Sequence, residues 1–296
     1  MKSSALKILI LILAFNYTLS DASVLSYKKD INGLIFILDK GLMKIKVCEN
    51  NIIEVQYTIL PAFPSKISLV IKNKWEKKTD YTVSETPSEI IITTDKLKIK
   101  TNKLRNSIIY TDLQDNIILS ENETDNKKMR DTTIAGIKTY ICETMFDSPA
   151  DEALFGLGCH PEDTLSINYK GRNQEMAIRY MTGAIPVLLS NKGYGLMWDN
   201  YSASNFYGTE AGNTKFKYVS ESGNMVDYYF IYGPEFDRIV ASYRIATGTA
   251  PMFPKWAFGL FQSQDRYKSQ AEVLSVKDNY RSNKIPVDCI VQDWFY

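Results

Sequence analysis

Two hundred residues of short, evenly spaced apolar runs, from Gly33 to Tyr232, leave this chain few folds to choose from. Runs at 34–38, 43–47, 52–57, 67–71, 89–93, 97–100 and 107–110 follow one another with turn residues between them. Further runs at 185–189, 195–198 and 226–232 continue the series. Several alternate apolar and polar side chains, the pattern of a sheet with one face on a core. So many strands with so little helical periodicity predict a large β-sandwich over 23–232. The polar stretch 122–128 reads as a loop. With 45% apolar residues, the chain has enough material to bury such a core without staples.

The period changes at residue 233. Gly233-Pro234 is placed to open a helix with Pro at its first position. Phe236, Ile239, Val240 and Tyr243 then recur at i, i+3, i+4 and i+7, and Gly248 closes the run. With Pro251 and Pro254 after it, 233–253 reads as a linker helix and connector. Residues 256–261 form a continuous apolar run, expected as a strand covered on both faces. Ser269-Gln-Ala-Glu272 is a capping box opening a helix through about Ser282. A second apolar run at 285–291 completes strand, helix and strand, which predicts a βαβ unit with parallel strands. Two strands cannot bury both faces of a parallel sheet, so the domain that starts at 254 is expected to be truncated at 296.

Residues 1–22 have the parts of a cleaved secretory signal: Lys2 and Lys7, an apolar run at 8–15, and small residues at Ser20 and Ala22. The run is too short for a membrane span, which needs about 20 apolar residues. Export to the periplasm or medium is therefore expected. With 35 Lys+Arg against 34 Asp+Glu, nothing marks the chain for nucleic acid or an anionic membrane. Cys48, Cys142, Cys159 and Cys289 are widely spaced beside apolar segments and read as buried free thiols, although three full pairings are possible. The single histidine, His160, excludes zinc sites that need two or three imidazoles.

In a (β/α)8 barrel the functional groups lie on loops after the strands. Here those loops are Gln262-Ser-Gln-Asp-Arg-Tyr267 and Gln292-Asp-Trp-Phe-Tyr296. Both mix carboxylates, amides and aromatics, which hydrogen-bond sugar hydroxyls and stack on sugar rings. On composition alone, Asp293 is equally an exposed loop carboxylate or helix cap, and Asp265-Arg266 a structural ion pair.

Pro254-Lys-Trp-Ala-Phe-Gly-Leu-Phe-Gln-Ser-Gln-Asp-Arg-Tyr267, followed by Ile285-Pro-Val-Asp-Cys-Ile-Val-Gln-Asp293, resembles glycoside hydrolase family 31. Leu154-Phe-Gly-Leu-Gly158 and Ser190-Asn-Lys-Gly-Tyr-Gly-Leu-Met-Trp-Asp-Asn-Tyr201 are similar to the family's N-terminal sandwich. The resemblance covers about residues 30–296 and includes α-glucosidases and α-xylosidases. It implies a galactose-mutarotase-like β-sandwich leading into a (β/α)8 barrel, of which 254–296 is the truncated start, with an oligosaccharide substrate and no cofactor. It also implies a retaining mechanism, with one aspartate as nucleophile and another as acid and then base. In the family both come from later barrel strands, so neither role is assigned within this chain. Asp293 matches the aspartate that binds hydroxyls of the −1 sugar. Arg266 and Tyr267 fall near the aromatic at the end of the first strand. The sandwich loop Asn168-Tyr-Lys-Gly-Arg-Asn-Gln174 carries Asn173 where many members have aspartate, a departure that bears on sugar choice.

Other readings stay open beside this one. A non-catalytic carbohydrate-binding sandwich fits the same composition, and a mutarotase-like isomerase shares the fold but relies on His and Glu. Gly156-Leu-Gly158 lacks the third glycine of a dinucleotide loop. Cys159 and His160 are neighbours on an extended chain, where successive side chains point apart, which argues against a thiol–imidazole dyad. Asn122 and Asn200 stand in N-x-S/T sequences, acceptors for glycosylation only in a eukaryotic secretory pathway.

Overall fold

The computed structural model describes residues 22–160, 166–179 and 181–294. The expected leader lies outside these residues except for Ala22. That residue is buried, and its carbonyl accepts from Asn106 Nδ2, so it belongs to the folded domain. The chain divides into two compact units, one ending at Gly248 and the other beginning at Thr249.

The first unit is the expected sandwich. Strands β1 (Val24–Asp30), β2 (Gly33–Leu38), β3 (Leu42–Glu49) and β4 (Ile52–Thr58) form a meander. A second meander runs through β5 (Thr82–Glu85), β6 (Glu89–Thr93), β7 (Lys98–Asn102), β8 (Ile108–Thr111) and β9 (Ile117–Ser120). Next come β10 (Lys127–Ile134), β11 (Ile137–Asp147), β12 (Leu154–Cys159), β13 (Asn173–Met176) and β14 (Gly183–Ser190). The series ends with β15 (Tyr194–Trp198), β16 (Ser204–Glu210), β17 (Lys215–Gly223) and β18 (Val226–Tyr232). An eight-stranded antiparallel sheet in the order β1-β2-β3-β4-β18-β15-β14-β12 is one layer. Two five-stranded sheets, β5 to β9 in sequence and β10-β11-β17-β16-β13, supply the facing layer.

The core is the interleaving of these faces. Phe36, Ile45, Val55, Trp198, Tyr228 and Phe230 of the large sheet meet Ile99, Tyr110, Phe146, Phe206 and Tyr218 of the other two. Tyr110 stacks on Phe230 at 3.8 Å between ring centroids, and Trp198 stacks on Tyr218 at 5.5 Å. The central strands β4, β15 and β18 are buried on both faces, because the outer face is covered as well. Ile52, Met197, Tyr229 and Ile231 point outward against Trp75, Ile239 and Ala246. Ile239 and Ala246 belong to α1 (Phe236–Thr247), so the helix read from sequence as a connector packs onto the sandwich.

Several expected elements differ. Residues 67–71 form no strand: they lie in the segment between β4 and β5, with Ile67 and Leu69 exposed. Helix α1 starts at Phe236 behind Glu235, which leaves Pro234 ahead of the cap rather than at the first helical position. Of its predicted stripe only Ile239 is fully buried, with Ser242 and Ala246 completing the inward face. All four cysteines are unpaired, but only Cys48 and Cys142 are buried, while Cys289 is half-buried and Cys159 exposed. Long strands β11 and β17 went unread because threonine, serine and lysine interrupt their apolar positions.

The polar stretch 122–128 contains the largest departure. Lys127 opens β10, and both it and Glu121 are fully buried as an ion pair. Glu121 Oε1 accepts from Tyr228 Oη at 2.7 Å, and Oε2 accepts from the Ile108 backbone at 2.8 Å. Lys127 Nζ also donates to the Asn106 carbonyl at 3.1 Å, and Tyr110 and Tyr228 share a hydroxyl contact of 3.0 Å. The network joins all three sheets where they meet. Breaking a buried pair by removing one partner leaves an uncompensated charge, so Lys127→Met should destabilise the sandwich by about 3–5 kcal/mol. Urea unfolding checks this, and the double variant Lys127→Met/Glu121→Leu should recover a large part of the loss.

Candidate functional site

The second unit holds the predicted loops. A 3-10 turn at Lys255–Phe258 replaces the start of the expected strand, and pairing begins only at β19 (Phe261–Gln264). Helix α2 (Gln270–Ser282) begins as the capping box predicts. Ser269 Oγ accepts from the Glu272 backbone, while Glu272 Oε2 accepts from the Lys268 backbone at 2.6 Å. Strand β20 (Cys289–Gln292) is shorter than expected and pairs with β19 in parallel, from Phe261 opposite Cys289 to Gln264 opposite Gln292.

Parallel pairing brings both following loops to one edge. Trp294 N donates to the Asp265 carbonyl at 2.8 Å, tying the loops together. Gln292 holds Tyr267 by its backbone: Oε1 accepts from Tyr267 N and Nε2 donates to Tyr267 O, both at 3.3 Å. Asp293 is exposed, with Oδ2 accepting from Ser263 Oγ at 3.4 Å. Arg266 is half exposed, its Nε 4.0 Å from Asp265 Oδ2. Thus Asp293, Arg266 and Tyr267 do converge, but Tyr267 is buried in the loop instead of presenting its ring. Among the described residues, the exposed aromatic of these loops is Trp294. A carboxylate flanked by a serine hydroxyl and an exposed indole is suited to accept sugar hydroxyls beside a stacking plane.

Asn173 lies in the first unit, at the start of β13, where it pairs with Tyr207 of β16. Its Oδ1 accepts from Thr209 Oγ1 at 3.0 Å. Next to it, Gln174 Nε2 lies 3.2 Å from His160 Nδ1, and His160 Nε2 lies 2.9 Å from the Leu157 carbonyl. Neither ring nitrogen faces Cys159, so no dyad forms. The sequon asparagines are engaged by the fold: Asn122 Nδ2 donates to Asp147 Oδ1 at 2.7 Å and Asn200 Nδ2 to the Ser222 carbonyl at 3.1 Å. Among the described residues no cluster of His, Cys, Asp and Glu could hold a metal ion.

A cavity of about 600 Å³ opens on the outer face of the eight-stranded sheet between Val70, Ile185, Met197 and Tyr243. It is chiefly apolar. At its border Lys66 Nζ, from the segment between β4 and β5, lies 2.9 Å from Asp227 Oδ2 and 3.1 Å from Asp199 Oδ2. Gln56 Nε2 donates to both Glu54 Oε1 at 3.1 Å and Asp227 Oδ2 at 3.2 Å. Sequence reading missed this cluster, although a carboxylate inside each of two apolar runs, Glu54 and Asp227, was its signal.

Residues 42–206 match the family model of the glycosyl hydrolase 31 N-terminal galactose mutarotase-like domain, and 250–296 match the family 31 TIM-barrel domain. The chain belongs to glycoside hydrolase family 31. It is 34% identical over 261 residues to the α-xylosidase of Saccharolobus solfataricus, covering 86% of this chain and 35% of that protein. It is 33% identical over 233 residues to an isomaltosyltransferase of Sporosarcina globispora, covering 73% of this chain and 21% of that one. The chain thus spans about a third or less of these relatives' lengths. A crystal structure of a family 31 α-xylosidase from a soil metagenome, complexed with xylose, shares the fold. Its TM-score is 0.79 at 22% identity, over 91% of this chain and 41% of the other.

In this family 31 sandwich the Asp227 carboxyl is pushed up to about 7 by burial and by Glu54, against the opposing pull of Lys66. The folded state therefore holds a proton that the unfolded chain releases near 3.8. That contribution to stability is complete below the unfolded value and is lost as pH rises through about 7. The urea midpoint of the wild type should fall between pH 5 and pH 8, and Asp227→Asn should flatten the fall. An equal slope in the variant would show that Asp227 is not its source.

Proposed function

We propose that this chain is the N-terminal part of a retaining α-glycosidase of the α-xylosidase or α-glucosidase type, hydrolysing O-glycosidic bonds of oligosaccharides. The observation that carries the reading is Asp293, at the end of the second of two parallel strands, beside Ser263 and Trp294. Support comes also from the α-xylosidase relative. An ionised carboxylate accepts hydrogen bonds from two adjacent hydroxyls, which orients the sugar ring for attack at its anomeric carbon. Arg266 adds a donor at the same edge. The nucleophile and the acid/base are supplied by later strands of the barrel: one carboxylate forms the glycosyl-enzyme, the other protonates the leaving oxygen and then activates water.

The full-length gene product should release p-nitrophenol from an aryl α-xyloside or α-glucoside. Asp293→Ala should lower kcat/KM by roughly ten- to a hundredfold, the worth of hydrogen bonds to a charged group. Sugar binding without turnover of either substrate would instead favour a carbohydrate-binding module.

We infer further that residues 1–21 are a secretory leader, on the basis of Lys2, Lys7 and the apolar run after them. Cleavage falls no later than ahead of Ala22, since that side chain and its carbonyl are used by the fold. N-terminal sequencing of the exported protein checks this; a mature chain that retains Met1 contradicts it.

A further inference from the structure

We propose that Lys66 is a latch that fastens the segment between β4 and β5 to the outer face of the large sheet, and that rising pH releases it. The inference concerns the sandwich alone and stands apart from the glycosidase reading.

The segment runs over residues 59–81. From Ile59 to Lys74 none of its residues is buried, and Ile67 and Leu69 are strongly exposed. Polar contacts hold the stretch 64–69 down. Lys66 Nζ lies 2.9 Å from Asp227 Oδ2 and 3.1 Å from Asp199 Oδ2, and it donates to the Asp199 carbonyl. It also stands 5.2 Å over the Tyr201 ring. The Tyr201 hydroxyl accepts from Leu69 N at 2.7 Å and donates to Ser68 Oγ at 3.2 Å. The second half of the segment is hooked differently. Lys72 N and Asn73 N both donate to the Ala246 carbonyl of α1. Trp75 is buried, and its carbonyl accepts from Asn32 Nδ2 at 2.9 Å. The stretch 64–69 is therefore free to lift while the chain from Lys72 onward stays attached. Pro64, Ser65 and Lys66 wall a cavity of about 380 Å³, and Val70 walls the one of about 600 Å³. Both reach Asp199 and Tyr201, so lifting 64–69 joins them into one trough.

Charge count sets the response to pH. Asp227 is faced by Glu54 of β4, Asp199 after β15, Lys66 of the segment, and Cys48 of β3 and Tyr229 of β18. Lys46 of β3 stands behind Glu54, 3.6 Å from its carboxylate. Burial keeps the Cys48 thiol and the Tyr201 and Tyr229 hydroxyls neutral. Three carboxylates then meet two ammonium groups, so the closed cluster is balanced only while one carboxyl keeps its proton. Asp227 is that one. Burial first, and then Glu54, push its carboxyl up to about 7, and Oδ1 has no hydrogen-bond partner among the described residues. Lifting 64–69 lets water reach it. That returns its proton affinity toward the ordinary 3.8, because burial outweighs the opposing pull of Lys66. The closed form thus binds the proton more tightly, is favoured in acid, and loses that advantage as pH rises through about 7.

Hydrogen–deuterium exchange of this chain tests the latch at the amides of Leu69, Val70 and Ile71, which donate to Tyr201 Oη or Ser68 Oγ. Between pH 6 and pH 8, after correction for intrinsic rates, their exchange should rise about tenfold, the factor for a proton held near 7 in the closed form alone. Lys72 and Asn73 should remain the slower to exchange at both pH values. The rise should also be insensitive to urea below the unfolding transition, as for a local opening. No rise, or a rise that urea steepens as much as it does for the β18 amides, overturns the latch. Asp227→Asn should abolish the pH response, and a response that persists in it overturns the proposal. Lys66→Met should exchange fast at Leu69 already at pH 6, with Lys72 and Asn73 still protected; unchanged protection at Leu69 shows that Lys66 is not the fastener. Should Lys66→Met not fold, the wild-type pH comparison and Asp227→Asn still decide.

Discussion

The sandwich depends on a charge pair that never meets water. Glu121 and Lys127 sit where the three sheets converge, and neither is tolerable there without the other. Tyr228 of the large sheet and the Ile108 backbone of β8 complete the coordination of Glu121. Apolar faces can slide by a residue pair at little cost. A buried carboxylate with fixed donors cannot, because each misplaced donor leaves an unsatisfied charge. The network thus sets the register in which the two smaller sheets lie over the larger one.

A second constraint governs the other unit. Two strands joined by a helix pair in parallel, which sends both of their following loops to the same edge. That edge gathers Ser263, Asp265, Gln292, Asp293 and Trp294 through backbone connectivity alone. Gln292 then spends both ends of its amide on the Tyr267 backbone, so one loop stiffens the other and leaves Asp293 exposed beside Trp294.

Much of this was legible in residue order. Short apolar runs, alternating with polar residues in β3 and β7, marked β2, β3, β4, β6 and β7, and Ser269 with Glu272 marked the start of α2. The motifs around 254–293 pointed to the family. What escaped did so for physical reasons. The run 67–71 has the composition of a strand but pairs with none, and it crosses the surface with Ile67 and Leu69 exposed. The apolar run at 256–261 opens as a 3-10 turn, since the chain must bend before it can pair with β20. Tyr267 looked like a presented aromatic because composition says nothing of which way a loop side chain turns.

Residue order by itself determined the class of fold and the change from strands to a βαβ unit, because periodicity and connectivity are properties of neighbours along a chain. Tertiary structure alone decided which polar side chains are buried and whom they bind. Lys127 faces Glu121, Lys66 lies between Asp199 and Asp227, and His160 meets Gln174, all pairings set by a second strand or segment. The worth of a charge or an imidazole depends on the dielectric and the donors around it, and those arrive only when distant segments pack.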